Sequence, residues 1–120
     1  MENPPREEPV LDERRLASLR ALGDDTVADL VGLFLDTTVE RLMGLADALA
    51  KADAPGVVRA AHVLRGSSAN LGFAAFASAC EQLENDARAG RADAAELHAA
   101  VEAAWVALQE PALALARRAP

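Results

Sequence analysis

Aromatic residues are scarce in this chain of 120 residues, which has no tyrosine, one tryptophan and three phenylalanines. Strands are enriched in aromatic and β-branched residues, whereas alanine and leucine dominate this composition. The sequence therefore favours an all-α protein.

The sequence also has little cysteine, few positive charges relative to negative ones, and no long apolar runs. The single cysteine, Cys80, excludes a disulfide within the chain. The net charge of −7 leaves no basic surplus for nucleic-acid phosphates. No apolar run approaches the length of a membrane span, and MENPPREEPV lacks the apolar core of a signal peptide. We expect a cytoplasmic protein with neither nucleic acid nor membrane as a partner.

The first helix signals lie near the N-terminus. Asp12 can cap a short helix that ends near Gly23. Asp24 or Asp25 then opens a long helix, in which apolar side chains recur at steps of three or four residues and form one face. This face consists of Val27, Val31, Phe34, Thr38, Leu42, Leu45 and Leu49.

Two further helices are predicted in the middle of the chain. The third extends from about Ala54 to Leu71, with Asp53 as its N-cap and Gly72 as its end. The fourth ends at Gly90, where glycine can adopt the left-handed conformation of a C-cap. Its apolar face consists of Phe76, Cys80, Leu83 and Ala87. The place of Cys80 on this face predicts a buried structural cysteine.

The last helix begins where Asp93 and Glu96 have the spacing of a capping box. Pro111 is expected to break or end it, because proline has no N–H to continue the hydrogen-bond ladder. Since the connections are short, successive long helices should lie antiparallel. The prediction is an antiparallel four-helix bundle with a short additional N-terminal helix.

This bundle is predicted to occupy residues 10–116, between a disordered N-terminal tail (1–9) and a frayed C-terminus (117–120). No second apolar face is evident along the helices. A monomer is therefore expected.

One of the two histidines, His62, lies in the middle of the third helix. At about 100° per residue, it points away from the buried face and into solvent. That buried face is defined by Val57, Leu64 and Leu71. Arg65, Gly66 and Ala69 share the exposed face with the imidazole. An exposed glycine inside a helix costs about 1 kcal/mol relative to alanine, so Gly66 indicates a partner that must come close, with Ala69 extending the flat surface.

The residue types around His62 suit phosphoryl acceptance. A neutral imidazole is a competent nucleophile near neutral pH. Arg65 can donate hydrogen bonds to phosphoryl oxygens. The alternative to phosphoryl acceptance is that His62 is an ordinary solvated histidine on a helix surface, without a function.

The segment AHVLRGSSANLG resembles the motif of the histidine-containing phosphotransfer (HPt) family. That motif has a histidine, any residue, leucine, lysine, glycine and two small residues, with a leucine-glycine pair shortly after. The matching residues are His62, Leu64, Gly66, Ser67, Ser68, Leu71 and Gly72. Arg65 replaces the usual lysine. The resemblance continues into PVLDERRLASL and CEQLENDARAG, so it covers nearly the whole predicted bundle.

The resemblance implies a phosphocarrier protein and not an enzyme. His62 would accept a phosphoryl group from the aspartate of one response-regulator receiver domain and pass it to another, and a hybrid sensor histidine kinase is a further partner. Arg65 would stabilise the phosphoryl group. Glu84 occupies the family position that can orient the ring, although a surface pair with Arg88 is slightly favoured. The receiver would bring Mg²⁺, and this chain would bind no metal or cofactor.

Other interpretations stay open. The chain can be a helical adaptor that binds its partner without phosphotransfer, or a histidine domain cut from a hybrid or chemotaxis-type kinase. A complete kinase is excluded, because no ATP-binding segment occurs in the sequence. A zinc site of His62, His98 and Cys80 lacks close ligand spacing.

Overall fold

The structure, a computed structural model, describes residues 8–90 and 94–117. Five helices account for most of them: α1 (Glu13–Arg20), α2 (Asp24–Ala50), α3 (Ala54–Asn70), α4 (Ala74–Arg88) and α5 (Ala94–Ala116). No strand occurs within these ranges, and none of the helices there is long and apolar enough to cross a membrane. The all-α prediction is confirmed. Most of the predicted tail, residues 1–7, and the last three residues lie outside the described residues.

The predicted caps define the helix boundaries. The Asp12 carboxylate accepts hydrogen bonds from two backbone N–H groups of the first turn of α1, and that of Asp53 accepts from Gly56 N at the start of α3. Gly72 and Gly90 have φ of 79° and 71°, the left-handed region that glycine adopts without strain. Asp93, one half of the predicted capping box, falls outside the described residues.

The four long helices form a closed ring of contacts. Each packs on its neighbours in sequence, α2 also packs on α5, and α3 and α4 share the most extensive contact. The short connections place consecutive helices antiparallel. The face predicted for α2 points into the core, where Val31, Thr38 and Leu45 are fully buried, while Leu42 and Leu49 are only partly buried.

An aromatic cluster fills one region of this core. Phe34 of α2 contacts Phe73 edge-on, with ring centroids 4.9 Å apart, and it also contacts Phe76. The single tryptophan, Trp105 of α5, packs on Phe34 and Phe76 at centroid distances of 6.1 and 5.7 Å. Trp105 therefore reports on the integrity of the core.

The expectation that Pro111 breaks or ends the last helix is wrong. Helix α5 continues through Pro111 to Ala116. A proline in a helix interior removes one hydrogen bond and costs about 3 kcal/mol. The flanking residues Leu108 and Ala112 are fully buried, so packing against the core keeps this segment helical.

Helix α1 is fastened to the turn between α3 and α4. Asp12 N donates to Gly72 O at 2.7 Å, and Arg15 Nε donates to Asn70 O at 2.8 Å. A Cβ atom at position 72 would lie 3.2 Å from Asp12 O and from Arg15 Cβ. Glycine is thus required at this turn for two reasons, its positive φ and the close approach of α1.

Thr38→Val should raise the free energy of unfolding by about 1 kcal/mol. Thr38 is fully buried and its hydroxyl has no hydrogen-bond partner, whereas valine keeps the shape and removes the unsatisfied group. Urea unfolding followed by Trp105 fluorescence measures the change. The control is Thr37→Val, since the Thr37 hydroxyl donates to Leu33 O at 2.9 Å. Equal stabilisation by the two substitutions would contradict this explanation.

Candidate functional site

His62 lies on the outer surface of α3. The adjacent Ala61 and the nearby Leu64 are fully buried, while 57% of the His62 side chain is exposed. The structure thus agrees with the predicted direction of this side chain, away from the core and into solvent.

The surface beside the ring is flat. Gly66 lies one turn after His62, and a Cβ atom there would meet nothing within 4 Å. Ala69, on the following turn, is exposed. A second molecule can therefore approach the imidazole closely from this side.

The carboxylate of Glu84, on α4, joins the groups around the ring. Its Oε2 lies 3.0 Å from Nδ1 of His62, and its Oε1 accepts from Arg65 Nε at 3.0 Å. Arg88 Nη2 donates to Oε2 at 2.6 Å. The sequence analysis treated the ring contact and the Arg88 pair as alternatives, with the pair slightly favoured. The structure contains both.

Glu84 is also not the surface residue that the Arg88 pair had suggested, because only 6% of its side chain is exposed. The sequence holds a signal for this burial. Position 84 lies one turn after Cys80 and next to Leu83, both fully buried on the apolar face of α4. The extensive α3–α4 contact covers position 84 as well.

The environment of Glu84 keeps it ionised at neutral pH. Burial raises the pKa of this carboxyl, but hydrogen bonds from Arg65, Arg88 and His62 lower it, and the net result is a pKa below the ordinary 4.5. The carboxylate can therefore only accept hydrogen bonds.

Two neighbours make opposite demands on Nδ1 of His62. Glu84 Oε2 requires a proton on Nδ1, whereas Arg65 Nη2, at 3.1 Å, could donate only if Nδ1 carried none. Glu84 is buried and fixed, while Arg65 is about one-third exposed and its Nη2 can bond to water. The geometry therefore favours the tautomer with Nδ1 protonated, which leaves the Nε2 lone pair available to a reactant.

Among the described residues, the remaining sequence candidates make no hydrogen bond or ion pair with this cluster. Cys80 is buried as predicted, and burial raises the pKa of its thiol to about 12, so it stays protonated. His98 lies on α5, 3.2 Å from Glu102. Among the residues that the structure describes, no group of three or more histidine, cysteine or acidic side chains could hold a metal ion.

Comparison with known proteins gives two matches. The sequence pattern of the Hpt domain family matches residues 29–112. The crystal structure of histidine-containing phosphotransfer protein B (HptB) from Pseudomonas aeruginosa PAO1 is similar, with a TM-score of 0.87 and 32% sequence identity over 93% of this chain and 98% of that chain. No curated protein sequence matches the chain significantly.

Glu84→Gln should lower the free energy of unfolding by about 1–3 kcal/mol at neutral pH. A carboxyl whose pKa is depressed by folding adds stability above its ordinary pKa of 4.5, and this stability is lost as the pH falls below that value. The difference between Glu84→Gln and wild type should therefore shrink on acidification. Urea unfolding at a series of pH values measures it.

The matched control is Glu81→Gln, which removes an exposed carboxylate from the same helix. This substitution should change stability little at any pH. A Glu84→Gln difference that is independent of pH would show that the contacts of Glu84 do not depend on its charge.

Proposed function

Because this chain belongs to the Hpt domain family, we propose that His62 accepts a phosphoryl group from the aspartate of one receiver domain and passes it to another. Members of the family are phosphocarrier modules of two-component signalling. The observation that supports the assignment to His62 is an exposed imidazole whose Nδ1 contacts a buried carboxylate.

The proposed step needs no proton transfer. The Nε2 lone pair attacks phosphorus, the N–P bond forms, and the bond from phosphorus to the aspartyl oxygen breaks with its electron pair left on the carboxylate. Nδ1 keeps its proton, so the phosphorylated ring is positively charged. Glu84 Oε2, 3.0 Å from Nδ1, offsets this charge with a charge-assisted hydrogen bond. In the proposal, Mg²⁺ belongs to the receiver and this chain supplies the nucleophile.

Arg65 is proposed to stabilise the phosphoryl group. Its Nε is bonded to Glu84 Oε1, which fixes the guanidinium beside the ring. The Nη donors remain available to phosphoryl oxygens, since the side chain is about one-third exposed. Arginine can donate two parallel hydrogen bonds where the family lysine donates from a single nitrogen.

Phosphotransfer to His62 is the direct test. The chain is incubated with a receiver domain of the source organism phosphorylated on aspartate, in the presence of Mg²⁺, and acid-labile, base-stable phosphate on the chain is followed. We expect phosphate on the wild type and none on His62→Gln. Absence of transfer from every receiver of the organism, or undiminished labelling of His62→Gln, would overturn the assignment and favour the adaptor interpretation.

Gly66→Gln should slow transfer strongly without unfolding the bundle, because the long side chain occupies the surface beside the ring. Gly66→Ala is the matched variant. It should raise the free energy of unfolding by about 0.5–1 kcal/mol, since alanine favours helix and its Cβ meets nothing within 4 Å. Receiver affinity and transfer rate are measured on both variants. The comparison distinguishes an effect of side-chain size from an effect of helix propensity.

The control for side-chain size is Ala103→Gln, which introduces the same side chain at an exposed position on α5. It should leave receiver affinity and transfer rate unchanged. Normal transfer by Gly66→Gln would show that no partner needs the space beside His62.

A further inference from the structure

The outward surface formed by α2 and α5 presents apolar side chains to solvent. Val39 of α2 is 50% exposed and Val106 of α5 is 69% exposed. Leu35 of α2 and Trp105 of α5 are only partly buried. The surface defined by Gly32, Leu35, Val39, Trp105 and Val106 is called the α2–α5 face below. It was not evident from the sequence, since its residues are divided between two helices.

On α2, these residues belong to a row along the flank that faces α5. The row follows alternating steps of four and three residues, so its members lie above one another. The other flank of α2 faces α3, because Leu33 and Arg41 line a cavity together with Ser67 of α3. At about 100° per residue, Leu35 is some 200° round the helix from Leu33. The row consists of Ala28, Gly32, Leu35, Val39, Leu42, Ala46 and Leu49.

Trp105 sets the register between the two helices. Its ring packs on Phe34, with centroids 6.1 Å apart, so the two residues lie at the same level of the bundle. Three successive reversals make α5 antiparallel to α2. Gly32, shortly before Phe34, is therefore level with the residues shortly after Trp105, and Val106 is one of these. The exposed parts of the two helices thus form one continuous surface.

Gly32 has no explanation within the chain. It lies inside α2, where glycine costs about 1 kcal/mol relative to alanine. Its φ is not among the positive values that require glycine, and a Cβ atom there would meet nothing within 4 Å. A partner that comes close to the backbone of α2 supplies a reason for this glycine.

Negative charge surrounds the α2–α5 face. Helix α2 contains six acidic residues and one basic residue, and α5 contains three acidic residues and no basic one. The single cation, Arg41, lies on the α3 flank of α2. Asp36 and Glu110 are exposed, one turn after Gly32 and Val106 respectively. Neither of these two carboxylates forms an ion pair with a described residue. The surface therefore favours a partner of positive charge.

We propose that the α2–α5 face binds an amphipathic helix of another protein, whose apolar residues recur at steps of three and four and whose flanks carry lysine or arginine. Gly32 lets this helix come close to α2. Val39 and Val106 contact its apolar side, and Asp36 and Glu110 pair with its basic flanks. The proposal is independent of phosphotransfer and adds a second interaction to the proposed function.

The same charges argue against other occupants. A second copy of this chain, related by a two-fold axis through this face, would place carboxylates against carboxylates. Like charges brought together at an interface cost several kcal/mol. Nucleic acid is also negatively charged and is repelled by the face.

The α2–α5 face is turned away from His62. The four long helices form a closed ring of contacts, in which α3 and α4 make up the side opposite α2 and α5. His62 and Glu84 lie on that opposite side. A helix bound at the α2–α5 face therefore leaves the imidazole open, and a receiver can bind at the same time.

The test uses a synthetic peptide of about three heptads, with leucine at the first and fourth positions of each heptad and lysine at the fifth and seventh. Trp105 is the only tryptophan and belongs to the face, so its fluorescence reports occupancy by a peptide that has no aromatic residue. We expect a saturable change with the lysine peptide. A peptide with glutamate in place of lysine should bind about tenfold more weakly.

Gly32→Gln and Val39→Gln should each weaken binding of the lysine peptide about tenfold, because the first blocks close approach and the second removes an apolar contact. The matched controls place the same side chain on the α3 flank of α2. They are Gly44→Gln, where a Cβ atom would also meet nothing within 4 Å, and Leu33→Gln, at an exposed leucine. Both should keep the wild-type affinity, and urea unfolding checks that all four variants are folded.

Four results would overturn the proposal. They are no response of Trp105 to the lysine peptide up to about 1 mM, equal affinity for the two peptides, unchanged affinity in both Gly32→Gln and Val39→Gln, and equal weakening by the controls. Self-association of the wild type that Val39→Gln abolishes would assign the face to a second copy and reject the proposal as well. Sedimentation equilibrium without peptide measures it.

Transfer of phosphate to His62 is followed on the same variants. Val39→Gln should accept phosphate normally, since the α2–α5 face is turned away from the imidazole. Peptide binding without transfer from any receiver, even to the wild type, would reject the proposed function and leave this proposal intact. Transfer without peptide binding would do the reverse.

Discussion

The contact between a buried carboxylate on α4 and an exposed imidazole on α3 is the interaction on which the site depends. A histidine that is 57% exposed on a helix surface would otherwise rotate freely, with no partner to fix Nδ1 as the protonated nitrogen. Glu84, with 6% of its side chain exposed, is held by the helix packing and by two arginines. Its Oε2 thereby fixes the ring from one edge and leaves the other edge, with Nε2, open to a partner.

The bundle supplies the rigidity that this contact requires. Helices α3 and α4 share the most extensive contact in the fold, and Leu64 and Leu83 are fully buried near the site. The turn between the two helices is fastened to α1 by the hydrogen bond from Asp12 N to Gly72 O. The relative position of His62 and Glu84 is therefore set by the core and not by loops, which favours a precisely held functional group.

Helix periodicity predicted most of the fold and the direction of His62, because both depend on which face of a helix is apolar. It failed at Pro111, where the burial of Leu108 and Ala112 outweighs the local preference of proline. It also misplaced Glu84, because periodicity within α4 does not say how far α3 covers the flank of the apolar face. Glu84 contacts His62, Arg65 and Arg88 together, and this depends on the distance between α3 and α4. The spacing of residues along one helix does not predict that distance.

The excess of positive charge around Glu84 fits a carrier better than it fits a final acceptor. A carboxylate on Nδ1 stabilises a positively charged phosphorylated ring, and a strong, uncompensated carboxylate would make that intermediate a stable product. Arg65 and Arg88 donate hydrogen bonds to the same carboxylate, at 3.0 and 2.6 Å. These bonds reduce the stabilisation that the carboxylate gives to the charged ring. In the proposed relay, the phosphoryl group must leave His62 as readily as it arrives. A ring that is held firmly in one orientation, and whose positive charge after phosphorylation is only weakly stabilised, satisfies both requirements.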